Sequence, residues 1–310
     1  MQLAQRLALV AVIATLVLIS LGTFVRATGS GLGCPDWPTC HGGVLPPGEK
    51  HPIIEMSHRF VATAVGLLVI ALALVCWRTF RHVPLISYLA LASVPLVSIQ
   101  GFLGAVTVWW ELPPAIVATH LLTAFAFLGG LVVIAVAVHR DIQGPRPAHP
   151  ASVVGAGRIT LLTLGWLALV VWVGGYLPES GASAACEGWP LCNGGVLPAS
   201  DDNEILHMLH RYISALLGVL ILASAWRMWR ARSDLSWATG AAASLVALYA
   251  AQVFVGALNV WYTFPDWLTI SHTALASLVW THLATVSSLV FVRARVPSTR
   301  ASTATIRAIP

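Results

Sequence analysis

Apolar residues along this chain gather into runs long enough to cross about 30 Å of hydrocarbon at about 1.5 Å per residue, and the polar residues collect between them. Eight such runs predict transmembrane helices near 7–25, 58–77, 84–107, 115–138, 157–176, 206–226, 236–260 and 269–292. They take up most of the chain and leave no room for a separate soluble domain. The first run is longer than the apolar region of a signal peptide and has no convincing small-residue cleavage site after it, so it is expected to stay as an uncleaved helix.

The gaps between the runs carry a repeat. The loop Cys34-Pro-Asp-Trp-Pro-Thr-Cys40-His-Gly-Gly-Val-Leu-Pro returns as Cys186-Glu-Gly-Trp-Pro-Leu-Cys192-Asn-Gly-Gly-Val-Leu-Pro, displaced by 152 positions. At the same offset, without gaps, Met56, His58 and Arg59 fall on Met208, His210 and Arg211, Gln100 on Gln252, Gly104 on Gly256, Trp109 on Trp261 and His120 on His272. Four spans per copy is an even number, so both copies enter the membrane in the same orientation, as a parallel repeat about an axis along the membrane normal. The expected fold is an all-α integral membrane protein of eight transmembrane helices. They form two four-helix bundles, residues 1–152 and 153–310, with cofactor sites on side chains facing into each bundle.

Composition agrees with this picture: 57% of the residues are hydrophobic and 9% charged, against about 25% charged in soluble domains. The net charge of +5 is not gathered on one face, which argues against a nucleic-acid partner. Instead Arg6, Arg78 and Arg81, then Arg140, Arg146 and Arg158, then Arg227, Arg230 and Arg232, and the Arg293 to Arg307 tail all fall at one end of the spans. The positive-inside rule makes that end, and both termini, cytoplasmic. Cysteine loops then face outward, and with no Arg- and Ser-rich transit segment a bacterial plasma membrane is expected.

His58 and His120 lie early in two spans that run in the same direction, so their imidazoles sit at similar depth and can face each other across a bundle; His210 and His272 repeat the arrangement at the same separation of 62 residues. One intramembrane histidine suggests an interhelical hydrogen bond, but two matched pairs favour ligation. Two imidazoles suffice as axial ligands of a haem, whereas zinc usually takes more protein ligands. Gly66, Gly104, Gly218 and Gly256 offer close backbone approach for a flat macrocycle. Arg59 and Arg211 are placed to pair with haem propionates or to snorkel to the headgroups. Cys34 with Cys40, and Cys186 with Cys192, are expected disulfides on the oxidising side, structural or redox-active, while Cys76 reads as an inert apolar residue. Gln100 and Gln252 can bond each other or a group in the pocket. His41, His51, His82, His139, His149 and His282 lack a histidine at the repeat offset and read as loop or interfacial residues.

The repeat breaks where Glu55 aligns with His207, three residues before His58 and His210. One helical turn puts each on the face of its histidine. A carboxylate beside an apolar redox site is expensive to keep, although a solvated acid at a helix start would also suit the macrodipole. Different residues here suggest that the two halves do different work.

These features together resemble the haem A synthases, the bacterial and mitochondrial enzymes that convert haem O to haem A for terminal oxidases. The resemblance covers essentially the whole chain, through the two Cys-Trp-Cys loops, Glu55-Met-Ser-His58-Arg59, His120, His207-Met-Leu-His210-Arg211 and Ile270-Ser-His272. It implies a resident haem b on His210 and His272, the haem O substrate on His58 and His120, and Glu55 as the catalytic residue. It also implies oxidation of the C8 methyl of haem O to a formyl group, with an electron acceptor and transient contact with haem O synthase. Four histidines alone would equally serve a two-haem b-type electron carrier, or a haem transporter or chaperone.

Overall fold

A computed structural model describes residues 1–144, 149–198 and 201–292; Arg146 and the Arg293 to Arg307 tail lie outside the described residues. It contains helices α1 (Gln2–Ala27), α2 (Lys50–Thr79), α3 (Pro84–Trp109), α4 (Pro114–Gln143), α5 (Ala151–Tyr176), α6 (Asp202–Arg230), α7 (Ala238–Trp261) and α8 (Asp266–Phe291), with one short 3₁₀ turn at Ala182–Ala184. Among the described residues, all eight α-helices are long and apolar enough to cross a membrane. Their outward faces carry large apolar side chains such as Leu9, Ile13, Leu67, Leu162 and Val219, as a lipid-facing surface requires.

Most helices run past the apolar stretches that predict them. Hydropathy marks the part that crosses hydrocarbon, whereas the backbone goes on satisfying its own hydrogen bonds through the interface. The shift matters most in α2, which starts at Lys50, so that His58 sits in the third turn and not at the helix opening. Starts are set locally. Proline occupies the first helical position of α3 and α4, where its missing N–H costs nothing. At α6 the Asp201 carboxylate accepts from the N–H groups of Asn203 (3.0 Å) and Glu204 (3.1 Å).

Helices α1 to α4 close a ring in which each touches the next and α4 returns to α1; α5 to α8 do the same, and α4–α5, α1–α8 and α4–α8 contacts join the rings. Small residues let the rings approach. A Cβ on Gly175 of α5 would stand 3.3 Å from the Ala118 backbone of α4, and one on Gly129 of α4 would stand 3.0 Å from the Trp280 indole nitrogen of α8. Phe125 packs edge-on against the same Trp280.

The loops at one end of the bundles repeat in backbone detail. Cys34–Cys40 and Cys186–Cys192 are disulfides, and Cys76 is free and buried. Each disulfide packs on a methionine nearly two turns into the next helix, Met56 or Met208. Trp37–Pro38 and Trp189–Pro190 are both cis, and left-handed backbone recurs at His41 and Asn193, Glu111 and Thr263, Leu112 and Phe264. Trp37 meets Trp109 edge-on (6.1 Å) as Trp189 meets Trp261 (6.0 Å).

What orders the first loop is Asp36, whose carboxylate accepts from the Thr39 hydroxyl, from Gly42 N (2.9 Å) and from His41 N (2.5 Å). These bonds, Thr39's foremost, lower its pKa to about 2. The second loop has glycine at that position, and Asn193 substitutes by accepting from Glu187 N (3.1 Å) and donating to Ala185 O (3.1 Å).

Two outcomes follow from these contacts. Gly175→Leu forces α5 away from the Ala118 backbone and should cost about 1–3 kcal/mol, seen as a lower unfolding temperature in detergent; Gly165→Leu, with nothing within 4 Å of its Cβ position, should leave that temperature unchanged. A carboxylate with a depressed folded-state pKa contributes order above its unfolded value of about 4, and that order is lost as the pH falls through about 2. Hydrogen exchange at His41 and Gly42 should therefore stay protected at pH 5 and lose protection toward pH 2, and Asp36→Ala should remove it at every pH.

Candidate functional site

Every helix of the first ring contributes to one place. His58 reaches in from α2 and His120 from α4, and the two rings are near enough to interact electrostatically. The backbones of the other two helices form their seats. A Cβ on Gly22 of α1 would stand 3.1 Å from His58 Cε1, and one on Gly104 of α3 would stand 3.6 Å from His120 Cε1. The second ring builds the same place from α5 to α8. His210 and His272 interact there, with Gly174 and Gly256 so close that their Cβ atoms would stand 2.8 and 3.0 Å from the imidazoles.

Glycine thus makes room for the imidazoles themselves. Of the four glycines expected to line a macrocycle, Gly104 and Gly256 seat histidines; Gly66 has nothing within 4 Å of its Cβ position, and Gly218 abuts Tyr249. Gly22 and Gly174 escaped the sequence reading, although they match at the repeat offset of 152 positions in the first span of each half.

Gln100 and Gln252 do not bond each other. With its nitrogen toward His120, the Gln100 amide donates to Nδ1 (3.1 Å), and its oxygen accepts from Thr123 Oγ1 and Ala124 N (3.0 Å). Gln252 Nε2 instead lies 3.1 Å from His272 Nε2. The halves therefore hold their second imidazole by different ring nitrogens.

The donor set fits haem better than a small metal ion. In His58, His210 and His272, Nδ1 is buried and meets no protein partner, unusual for a polar atom inside a fold unless something other than the protein uses the ring. Among the described residues no three His, Cys, Asp or Glu side chains converge as a metal cluster, whereas a haem iron takes two axial imidazoles from facing helices.

Above His58 the loop is clasped to the helix. Glu55, buried, pairs with the Arg59 guanidinium through one oxygen and accepts from Cys34 N (2.9 Å) through the other. Arg59 also donates to the carbonyls of Asp36 (2.7 Å) and Thr39 (2.6 Å). His207 replaces the acid in the second half: its Nδ1 donates to Ala182 O (3.1 Å) and its Nε2 accepts from Arg211 (3.1 Å), which also donates to Pro190 and Leu191 carbonyls (both 3.1 Å). Both arginines, expected at haem propionates, are thus engaged by the cysteine loops, and a propionate would have to share them. Glycine is required at one point of this clasp, since a Cβ on Gly33 would stand 2.6 Å from the His51 carbonyl carbon.

Four of the histidines without a repeat partner form hydrogen bonds away from the two sites: His41 to Gly33 O (3.3 Å), His51 to Ser30 (3.0 Å), His139 to Gln5 (3.2 Å) and His282 to Ser244 (2.9 Å); His82 stacks on Phe80.

Comparison with known proteins gives the same fold a family. The model of the COX15-CtaA family, described as cytochrome oxidase assembly protein, matches residues 5–284. A protein of Shouchella clausii named heme A synthase is 31% identical over 293 residues, covering 92% of this chain and 96% of its own. One of the same name from Symbiobacterium thermophilum is 36% identical over 78% of this chain and 81% of its own, and one from Shewanella oneidensis is 28% identical over 88% and 92%. Two matched histidine sites in an eight-helix membrane chain, together with a family match over nearly its full length, place the protein in the COX15-CtaA family of cytochrome oxidase assembly proteins.

Proposed function

We propose that this chain is a haem A synthase, a multi-pass plasma-membrane oxidoreductase that oxidises the C8 methyl of haem O to the formyl group of haem A. The observation that carries the proposal is a pair of seats alike in their histidines and glycines but unlike at the residue one turn before the outer histidine, Glu55 against His207. A symmetric electron carrier has no evident need for that difference.

Substrate haem O belongs to the first half, between His58 and His120, and a resident haem b to the second, on His210 and His272. When bound, haem b supplies one-electron redox chemistry beside the substrate site. Around it, this chain's residues hold both imidazoles in place and close the slot with apolar helix faces, which exclude water from the rings. In this topology the cysteine loops face outward and the arginine-rich ends face the cytoplasm, with haem O arriving through transient contact with haem O synthase.

Converting a methyl to a formyl group passes through an alcohol and a hydrated aldehyde that loses water; with water as the oxygen source it releases four electrons and four protons, the electrons leaving to an external electron acceptor. Electron demand is greatest at the carbon attached to the macrocycle. Glu55 sits one turn from His58, held by Arg59 and Cys34 N. A fixed anion there stabilises positive charge developing on the substrate, and its remaining lone pairs can take a proton from an attacking water. The disulfide loop acts through Glu55 by fixing where that carboxylate points.

Co-expression with a haem O source and chromatography of the extracted pigments tests this. Glu55→Gln should lower haem A formation by about a hundredfold or more while haem B stays bound, and His272→Ala should lose the haem B. Haem A made by Glu55→Gln at the wild-type rate would remove the chemistry assigned to the carboxylate. Two equivalents of haem B and no haem A from the wild type would favour the electron carrier.

A further inference from the structure

A substrate haem brings two propionates, and a carboxylate enters a largely apolar site only where a cation or strong donors meet it. Arg59, expected in that role, is engaged by Glu55 and by loop carbonyls. Another cation of the first half has no such commitment.

Helix α1 turns Gly22 toward His58, with the Cβ position 3.1 Å from the ring. Arg26 lies four residues further along α1, so it shares that face and stands one turn nearer the cysteine-loop end. Among the described residues its guanidinium makes no hydrogen bond and no ion pair in contact; it interacts at longer range with Glu179, in the segment that follows α5 of the other half. Burial raises the Glu179 pKa, against the pull of the Arg26 charge. A cation in the last turn suits the helix dipole, but that does not explain why only the first half has one: the repeat counterpart of Arg26 is Pro178. The asymmetry falls on the same half as Glu55.

We propose that Arg26 is the positioning residue that receives a propionate of haem O at the cysteine-loop end of the first-half site, exchanging its long-range partner Glu179 for direct contact with the substrate. This rests on the haem A synthase reading. A propionate held there fixes the rotation of the macrocycle about the axis joining His58 and His120, and with it which ring edge meets Glu55. The second half, lacking the cation, does not share this anchor.

The test compares haem O with its dimethyl ester, in which both propionates are neutral, by titrating each into detergent-solubilised protein and following the low-spin optical change on histidine ligation. Wild type should bind the free acid about tenfold to a hundredfold more tightly than the diester. Arg26→Gln should bind the two alike, at the affinity wild type shows for the diester, and Arg26→Lys should recover part of the preference. Haem B content should be the same in all three proteins.

An undiminished preference in Arg26→Gln, or equal loss of affinity for acid and diester, would overturn the assignment; the second result would make Arg26 a structural contact between the halves. If wild type binds neither compound through His58 and His120, the haem A synthase reading fails, and this inference with it.

Discussion

The structure depends on the close approach of a helix backbone to an imidazole, made four times. Gly22, Gly174 and Gly256 leave so little room that a methyl group would stand 2.8 to 3.1 Å from a histidine ring, and one on Gly104 would touch its ring at 3.6 Å. At the closer of these distances even alanine would turn the ring or push a helix aside. Packing of this kind holds transmembrane helices together where lipid offers no hydrophobic driving force between them. Here it also sets where two ring nitrogens point. The crossing of α1 on α2 and of α3 on α4, repeated by α5 on α6 and α7 on α8, is therefore fixed by the same contacts that orient the ligands.

On that symmetric frame, the proposed function rests on a few departures. Glu55 and His207 occupy equivalent places and do equivalent mechanical work, tying an arginine and a loop backbone to the helix that carries the outer histidine. They differ in charge. An acid next to His58 and a neutral ring next to His210 give two similar sites different electrostatics, and Arg26 opposite Pro178 adds to the contrast. Gln100 and Gln252 add another, touching different nitrogens of His120 and His272. Each departure is a single side chain, so one duplicated site can come to serve substrate and cofactor without a change of fold.

The eight spans and the repeat were legible in the sequence because both are written in residue type: apolar runs for the spans, and ungapped identity from Cys34/Cys186 to His120/His272 for the repeat. Helix ends were not, since α2 begins at Lys50, with Gly33 against His51 in its first turn, before its apolar stretch has started. The glycine seats were half legible: Gly104 and Gly256 stood beside recognisable motifs, but Gly22 and Gly174 look like any glycine in a membrane helix until the ring across from them is placed. For Arg59 and Arg211 the sequence left propionate pairing and snorkelling open, because an arginine beside a histidine carries no information about which way it turns. The loop carbonyls that hold them come from residues some twenty positions away.

Haem stoichiometry bears most directly on the proposal that two like sites take unlike occupants. Protein purified from cells that lack haem O should contain one haem B per chain. Added haem O should then fill a second low-spin site with a bis-histidine near-infrared magnetic circular dichroism band, and His58→Ala or His120→Ala should abolish that band's growth without loss of the first haem. A second haem B already present, or haem O ligation that survives His58→Ala and His120→Ala, would contradict the division of labour between the halves.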